Sequence, residues 1–417
     1  MHHLTKFSAA SKKLLQDQSI SADGPGTILR DVEALIEFIG EAGLMTRSKQ
    51  GNLSSETLAE LNTKLAAPIE NYLERPLLRD YPNIGGIYIL LRVMALVRSE
   101  AKRVMIDPEM LAVWRGLNPV EQYFALMEAW LFLADGEVLG AGGRRSQSQF
   151  VENLMFLAGL KTAQWTTFED YCHSGGFGGV VSAWNAQLQA RFGFIELRAR
   201  PLAGRKFVGR TWIMQKAGRT AWGEAIAGAI MDWVLAGGEN EFWRMDERED
   251  AGFGTLQPVF RTWFPEWNNV FQTAQPVTEN GTYIIKVKFA ARQGLDGVSC
   301  LLAVPGDCVL DDVAYAVLKA FKFSDTEHLY EFRYRDQRGK NRVFNHPAAN
   351  DGPWASEMEL GATGWPVKGV MKFLFDFGDS WKFELKLERI DPPGKKGAPI
   401  GIIETTGKPP KQHPRWE

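Results

Sequence analysis

The chain has little of what marks several common classes of protein. Its 417 residues contain three cysteines, Cys172, Cys300 and Cys308, at irregular spacings. So few thiols argue against a disulfide framework and are typical of a protein in the reducing cytoplasm. The N-terminus lacks the apolar core of a signal peptide, and no apolar run approaches the ~20 residues of a membrane helix. We therefore expect a cytoplasmic protein without a membrane partner.

Histidine and net charge are also scarce. The histidines do not have the spacing of a metal-binding motif, so we predict neither a metal nor another cofactor. They are His2, His3, His173, His328, His346 and His413. The 48 lysines and arginines are balanced by 50 aspartates and glutamates, and a formal charge of −2 excludes an overall basic field. Any nucleic-acid-binding surface would have to be a basic patch on one part of the protein.

The length exceeds what one hydrophobic core supports, so two or three domains are expected. Residues 1–160 show the pattern of a helical region. Ser54 and Asn118 are suited to cap two helices, with an apolar helix at about 84–96 and a strand at 104–106 between them. This order of elements resembles a winged-helix fold. A generic helical bundle is the alternative.

Residues 161–271 show a second pattern of the same kind. A predicted helix over 180–191 is followed by strands at 194–198 and 211–214, and Thr220 is suited to cap the next helix. Helix, hairpin and capped helix again resemble a winged helix. We therefore predict a second winged-helix-like module here.

The hairpin of this second module is strongly basic. Between Leu197 and Gly223 there is no aspartate or glutamate, while seven lysines and arginines occur. Such side chains neutralise phosphates and release counterions. We predict a DNA-binding surface made of Arg198, Arg200, Arg205, Lys206 and Arg210. The alternative is a solvated hairpin whose cations are covered by the acidic segment 244–250.

A polar segment at 272–281 predicts a linker, and residues 282–417 form the last predicted domain. Aromatic and polar residues alternate over 373–387 around a Gly-Asp-Ser turn, which predicts a β-hairpin. With the strand patterns 283–287 and 328–332, this hairpin resembles the plasmid pRiA4b ORF-3-like family. The residues that carry its Asp-Phe-Gly-Asp-x-Trp motif are Asp376, Phe377, Gly378, Asp379 and Trp381.

The resemblance implies a fold more than an activity, because that family has no settled function. The domain should contain strands at 283–290 and 298–304, a helix at 310–321, a strand at 328–335 and a hairpin at 371–388. A β-grasp-like arrangement is the expected form. The chain lacks the C-terminal cysteines of many relatives and has Ser-Cys-Leu at 299–301 where many place Trp-Arg-Arg.

These patterns predict an α+β protein with a mainly helical N-terminal two-thirds. The leading functional hypothesis is a non-enzymatic DNA-binding accessory or regulatory protein of a bacterial chromosome or mobile element. One alternative is a protein-interaction adaptor that docks a partner on the aromatic C-terminal sheet. Another is a metal-dependent hydrolase or nuclease that uses Asp376 and Asp379. In the structural alternative, these two carboxylates accept hydrogen bonds from the backbone of their own turn and have no catalytic role.

Overall fold

The structure is a computed structural model in which the chain forms two compact units, Met1–Thr273 and Ala274–Glu417. The boundary lies within the predicted linker. The residues that the structure describes are 7–46, 53–100, 103–134, 139, 149–167, 181–201, 212–237, 242, 245, 251–272, 281–290, 295, 297–336, 341–350, 352–395 and 397–412.

The first unit is mainly helical. Its described helices are α1 (Ala9–Asp17), α2 (Ile28–Ile39), α3 (Ser55–Lys64), α4 (Pro82–Val93), α5 (Pro108–Arg115), α6 (Pro119–Glu128), α7 (Gln149–Gly159), α8 (Ala183–Arg191), α9 (Ala221–Ala236) and α10 (Gln257–Phe260). Its described strands are β1 (Leu44–Met45), β2 (Val97–Glu100), β3 (Arg103–Ile106), β4 (Thr166–Thr167), β5 (Ile195–Pro201) and β6 (Trp212–Arg219).

Side-chain caps fix where several of these helices begin. The Ser54 hydroxyl accepts the N–H of Thr57 at 3.1 Å before α3. Before α6, the Asn118 side chain and the Glu121 carboxylate each accept the other residue's backbone N–H at 3.0 Å. Each such cap satisfies N–H groups that the first helical turn leaves unpaired. The helices therefore start where the sequence places a capping residue.

Two places in the first unit have a similar order of elements, except that α3 has no counterpart among the described residues at the second place. In the first, α2, β1, α3 and α4 are followed by the β2–β3 hairpin, and β1 pairs with the last strand to give the sheet order β1-β3-β2. In the second, α7, β4 and α8 are followed by the β5–β6 hairpin, with the sheet order β4-β6-β5. Residues 168–180, between β4 and α8, lie outside the described part of the chain. Both sheets are antiparallel throughout.

Buried side chains from both predicted N-terminal modules form one hydrophobic cluster. It includes Leu90 and Phe124 from before residue 160 and Leu188 and Ile226 from after it. The division at residue 160 stays a prediction, because no gap in packing marks it.

Two buried acids bind residues 251–272 to α6. The Glu121 carboxylate accepts the N–H of Asn269 at 2.6 Å. The Glu128 carboxylate accepts the N–H groups of Gly254 at 2.8 Å and Leu256 at 2.7 Å. Burial raises the pKa of Glu128 to about 7, and these two hydrogen bonds oppose part of that shift.

The second unit contains a seven-stranded sheet and one described α-helix, so the predicted α+β class is confirmed. Its elements are β7 (Thr282–Phe289), β8 (Ser299–Pro305), α11 (Leu310–Ala320), β9 (Tyr330–Arg335), β10 (Asn341–Asn345), β11 (Val370–Phe375), β12 (Trp381–Asp391) and β13 (Gly401–Thr406). The strand order is β10-β9-β11-β12-β7-β8-β13. All six pairings are antiparallel, so the sheet differs from the expected β-grasp-like arrangement, in which two strands run parallel.

The aromatic side chains of this sheet lie in the core under α11. Phe373 and Phe383 face each other across the β11–β12 hairpin and are each 1% exposed. The ring of Phe321, which follows α11, stacks on Phe383 with 5.5 Å between centroids. The adaptor hypothesis therefore loses the surface on which it was based, because the aromatic face is occupied by the protein's own helix.

Candidate nucleic-acid interface

The helices that precede the two hairpins, α4 and α8, bury each other. Every residue of α4 is buried. A Cβ added at Gly86 would lie 2.9 Å from the side chain of Leu188 and 3.3 Å from the carbonyl oxygen of Trp184, so the two helices are in close contact. In a DNA-binding winged helix the corresponding helix enters the major groove. Neither α4 nor α8 offers an open face for that purpose.

The polar side chains of α8 are used inside the protein. The Asn185 side chain accepts the Trp130 indole N–H at 2.8 Å and donates to Gln149 at 2.7 Å. Gln189 donates to the side chain of Asn153 at 3.1 Å. Both side chains are 0% exposed and bond to residues of the core, so neither is available to contact bases.

The last residue of α8 forms a buried ion pair with α2. The Arg191 Nε lies 3.1 Å from the Asp31 Oδ2, and the two side chains are 3% and 0% exposed. The N–H does not point well at this oxygen, so we regard the contact as an ion pair rather than an aligned hydrogen bond. Asp31 also accepts the Thr27 hydroxyl at 2.8 Å and the Ala66 N–H at 2.7 Å. The pair joins the two modules.

The β5–β6 hairpin carries two cations that face each other. Arg198 and Lys216 are direct partners in the strand register. Like charges placed opposite each other destabilise a strand pair by about 0.2–1 kcal/mol. Within the described residues, no carboxylate lies at ion-pair distance from either side chain. The arrangement is therefore suited to an external anion.

An exposed tryptophan lies next to both cations. The Arg198 guanidinium is 5.3 Å and the Lys216 Nζ 4.8 Å from the centroid of the Trp165 ring, which is 40% exposed. The segment before β4 can approach β6 closely because Gly218 has no side chain; a Cβ there would lie 2.8 Å from the Gln164 carbonyl oxygen. Cation–π contact holds the two charges in place without neutralising them. We call Trp165, Arg198 and Lys216 the cation–aromatic cluster.

The sequence predictions for this hairpin have different outcomes. Arg198 is exposed and belongs to the cation–aromatic cluster. The backbone of Arg200 lies in β5, but its side chain and the whole of Arg205, Lys206 and Arg210 lie outside the described residues, as does 244–250 except for Met245. Their role in DNA binding stays a prediction.

Arg219, another cation of the basic segment, has a structural role and does not belong to the candidate DNA-binding surface. Arg219 is 7% exposed, and it donates to the Thr162 hydroxyl at 2.9 Å and to the Leu157 carbonyl at 3.2 Å. Burial lowers the pKa of this guanidinium, and the nearby Glu224 opposes that shift. Sequence reasoning also missed Trp165, since only the strand register shows which residues lie beside it.

In the second unit, the motif hairpin has the geometry of a capped turn. The Asp376 Oδ1 accepts the N–H of Gly378 at 2.9 Å and that of Asp379 at 3.3 Å. Its Oδ2 lies 3.7 Å from the Nε2 of His328, which is 3.1 Å from Asp325. Trp381 opens β12 and is buried, whereas Phe377 is 53% exposed. The Asp376 carboxylate thus serves the turn that the motif forms.

The part of the chain that the structure describes has neither a metal-binding cluster nor a membrane-spanning helix. Within it, no cluster of three or more His, Cys, Asp or Glu side chains is arranged to hold a metal ion. None of its helices combines the length and apolar character needed to cross a bilayer. Burial raises the pKa of Cys300 to about 12 and that of Cys308 to about 11, so both thiols are protonated at neutral pH.

The fold and motif of the second unit define an antiparallel α+β domain with a capped Asp-Phe-Gly-Asp hairpin. Residues 283–412 match the family model described as plasmid pRiA4b ORF-3-like protein, and the predicted family is thereby confirmed for this region. A crystal structure of a protein of unknown function from Methanosarcina mazei Go1 aligns at 18% identity. The alignment covers 30% of this chain and 68% of that one, with a TM-score of 0.26. A comparison with curated proteins finds no match.

Proposed function

We propose that the protein is a non-enzymatic, DNA-binding accessory protein whose two repeated modules are winged helices. In this proposal, the β5–β6 hairpin contacts the phosphates of duplex DNA. The observation that carries the proposal is the cation–aromatic cluster, in which Arg198 and Lys216 face each other beside an exposed indole. A phosphate between the two cations would remove their mutual repulsion and gain charge-assisted hydrogen bonds.

The burial of α4 and α8 determines the kind of DNA binding that we propose. Base edges in the major groove are usually read by an exposed recognition helix. Here both corresponding helices are buried against each other, which leaves a hairpin that contacts the backbone. Phosphate contacts position a protein on DNA without reading the sequence. We therefore propose binding with little sequence preference.

The proposed DNA-binding surface also includes three further cations, which are assigned to it by their charge and position in the sequence alone. Arg205, Lys206 and Arg210 occur between β5 and β6 in the sequence, outside the described residues. The family description of the second unit names a plasmid open reading frame, which supports a role on bacterial chromosomal or mobile-element DNA. An accessory role fits a chain in which the motif carboxylate Asp376 is committed to its own turn.

The experiment compares two variants that each remove two cations from a hairpin. Arg198→Ala/Lys216→Ala alters the cation–aromatic cluster. The control, Arg98→Ala/Arg103→Ala, alters the β2–β3 hairpin, where Arg98 lies 3.5 Å from Asp107 and Arg103 donates to the Ala42 carbonyl. Binding of a labelled DNA duplex is followed by fluorescence anisotropy, and the melting curve of each variant reports its folding.

We expect the cluster variant to lose affinity and its log–log salt slope to fall by about 0.9 for each phosphate contact removed. The control should stay close to the wild type, because its arginines already have partners. Equal losses in both folded variants would show diffuse charge attraction instead. Unchanged binding in the cluster variant would refute the proposed surface.

A further inference from the structure

The sheet of the second unit has an outer face that α11 does not cover. Along each strand, alternate residues point to the core and the others to this outer face. On β7, for example, Val287 is buried while Lys286 and Lys288 are exposed. On β12, Lys382 is exposed and Leu385 is buried. The outer face spans the central strands β9, β11, β12 and β7.

Cations predominate on this outer face. Its cations are Lys286, Lys288, Arg333, Lys368, Lys372, Lys382, Lys386 and Arg389. Its carboxylates are Glu331, Glu384, Glu388 and Asp391. The surplus of positive charge is local, because the whole chain carries a formal charge of −2.

Each of the four carboxylates already has a cationic partner. Asp391 pairs with Arg389 at 2.8 Å. Glu331 pairs with Arg333 at 2.6 Å, and Glu384 pairs with Lys288 at 2.8 Å. Glu388 receives hydrogen bonds from two lysines at 2.6 Å, which lower its pKa to about 2 and keep it ionised. The negative charge on the face is therefore neutralised internally.

Three of the lysines have no such partner among the described residues. Lys286, Lys372 and Lys382 are exposed, and no carboxylate in that part of the chain lies at ion-pair distance from them. Two rows of the face also place like charges directly opposite. Lys286 is opposite Lys386, and Lys372 lies between Arg333 on β9 and Glu384 on β12. Like charges that face each other destabilise a strand pair, and an anion placed between Lys286 and Lys386 would relieve that repulsion.

The composition of the face favours nucleic acid over a protein partner. Protein interfaces depend on buried aromatic or arginine anchors and are depleted of lysine and glutamate. The described outer face carries no aromatic side chain on β7, β11 or β12, and its apolar residues on β11 are Leu374, which is partly exposed, and Val370, which is 45% exposed. Single-stranded nucleic acid would need aromatic rings on which bases stack. Lysines without such rings suit the phosphates of a duplex.

We propose that the outer face of the second unit is a second surface for the phosphates of duplex DNA, with Lys286, Lys372 and Lys382 as its contacts. This inference rests on the proposed function in that the chain binds DNA. Its residues are separate from the cation–aromatic cluster, and either surface can exist without the other. Lysine binds phosphate as a point charge, so this contact adds affinity and salt dependence but no sequence preference.

The test uses the full chain with Lys286→Gln/Lys372→Gln/Lys382→Gln. A control of equal charge change replaces three exposed lysines elsewhere in the second unit by glutamine, and these are Lys319, Lys322 and Lys408. Duplex affinity is measured by anisotropy between about 0.05 and 0.2 M salt, the range over which such contacts change affinity strongly. Poly-L-glutamate serves as the acidic polypeptide competitor.

We expect the sheet variant to bind at least about tenfold more weakly at low salt, with a log–log slope lower by as much as about 2.7. The control should keep most of the affinity. If the cluster variant loses binding and the sheet variant does not, this inference is wrong and the proposed function stands.

The opposite result, loss only in the sheet variant, would support this inference and overturn the hairpin proposal. If the wild type binds no DNA, both proposals fail. If poly-L-glutamate binds this face and the duplex does not, the face recognises an acidic protein and the inference is overturned.

Discussion

Removing the charge of Arg191 should strongly destabilise the first unit. The Asp31 carboxylate is 0% exposed, and Arg191, 3.1 Å away, supplies its counter-charge. Arg191→Met would leave that carboxylate unpaired in the core, which costs about 3–5 kcal/mol for buried pairs of this kind. Native domains are stable by about 5–15 kcal/mol in total. The variant should therefore lose a large part of the first unit's stability.

A second substitution tests the electrostatic cause. In Arg191→Met, adding Asp31→Asn removes the unpaired charge, while the remaining oxygen still accepts the Ala66 N–H. The Thr27 hydroxyl can accept from the new amide instead of donating to the carboxylate. We expect the double variant to recover about 2 kcal/mol or more, the difference between an unpaired charge and a neutral polar group. Asp31→Asn alone should destabilise, since it leaves Arg191 unpaired.

The assay is urea unfolding followed by tryptophan fluorescence and circular dichroism, with the transition of the first unit fitted separately. Arg115→Met is the matched control, because the Arg115–Glu33 pair has the same 3.1 Å separation with side chains 57% and 40% exposed. Exposed pairs contribute about 0–1 kcal/mol. The proposed role of the buried ion pair is refuted if Arg191→Met loses no more unfolding free energy than this control. It is also refuted if adding Asp31→Asn lowers the unfolding free energy further.

Three further predictions concern ionisation and the motif turn. Because the pKa of Glu128 is raised in the folded protein, the unfolding free energy should fall as pH rises from about 4.5 to about 7, by up to about 3 kcal/mol, and this fall should be smaller in Glu128→Gln; identical pH profiles would contradict it. In a Cys172→Ser background, the buried Cys300 should react with Ellman's reagent only after unfolding and the partly buried Cys308 only slowly, and rapid reaction of both thiols in the native protein would contradict this. Asp376→Ala should lower the unfolding free energy of the second unit by about 1–3 kcal/mol, because two turn N–H groups lose their acceptor; an unchanged denaturation midpoint would contradict this role.

The sequence was most informative where a residue acts on its own neighbours. Asn118 and Ser54 cap helices through groups three residues away, so their pattern locates the helix starts. The alternation over 373–387 predicted the β11–β12 hairpin for the same reason. The α+β class and the family of residues 283–412 followed from such local patterns.

Long-range pairing explains what the sequence did not reveal. Asn185 and Gln189 are polar, and their burial depends on partners 36 or 55 residues away along the chain. The burial of both α4 and α8 could not be inferred either, because these two helices are far apart along the chain. Trp165 joined the candidate site only through the register that brings Arg198 opposite Lys216.

In the proposed function, the chain binds duplex DNA through its phosphates, without reading the sequence. The most direct test is the affinity of the wild-type protein for two duplexes of equal length and unrelated sequence, measured across a series of salt concentrations. We expect nearly equal affinities and a steep, linear fall of log affinity with log salt concentration. Salt-insensitive binding, or a strong preference for one duplex, would contradict it.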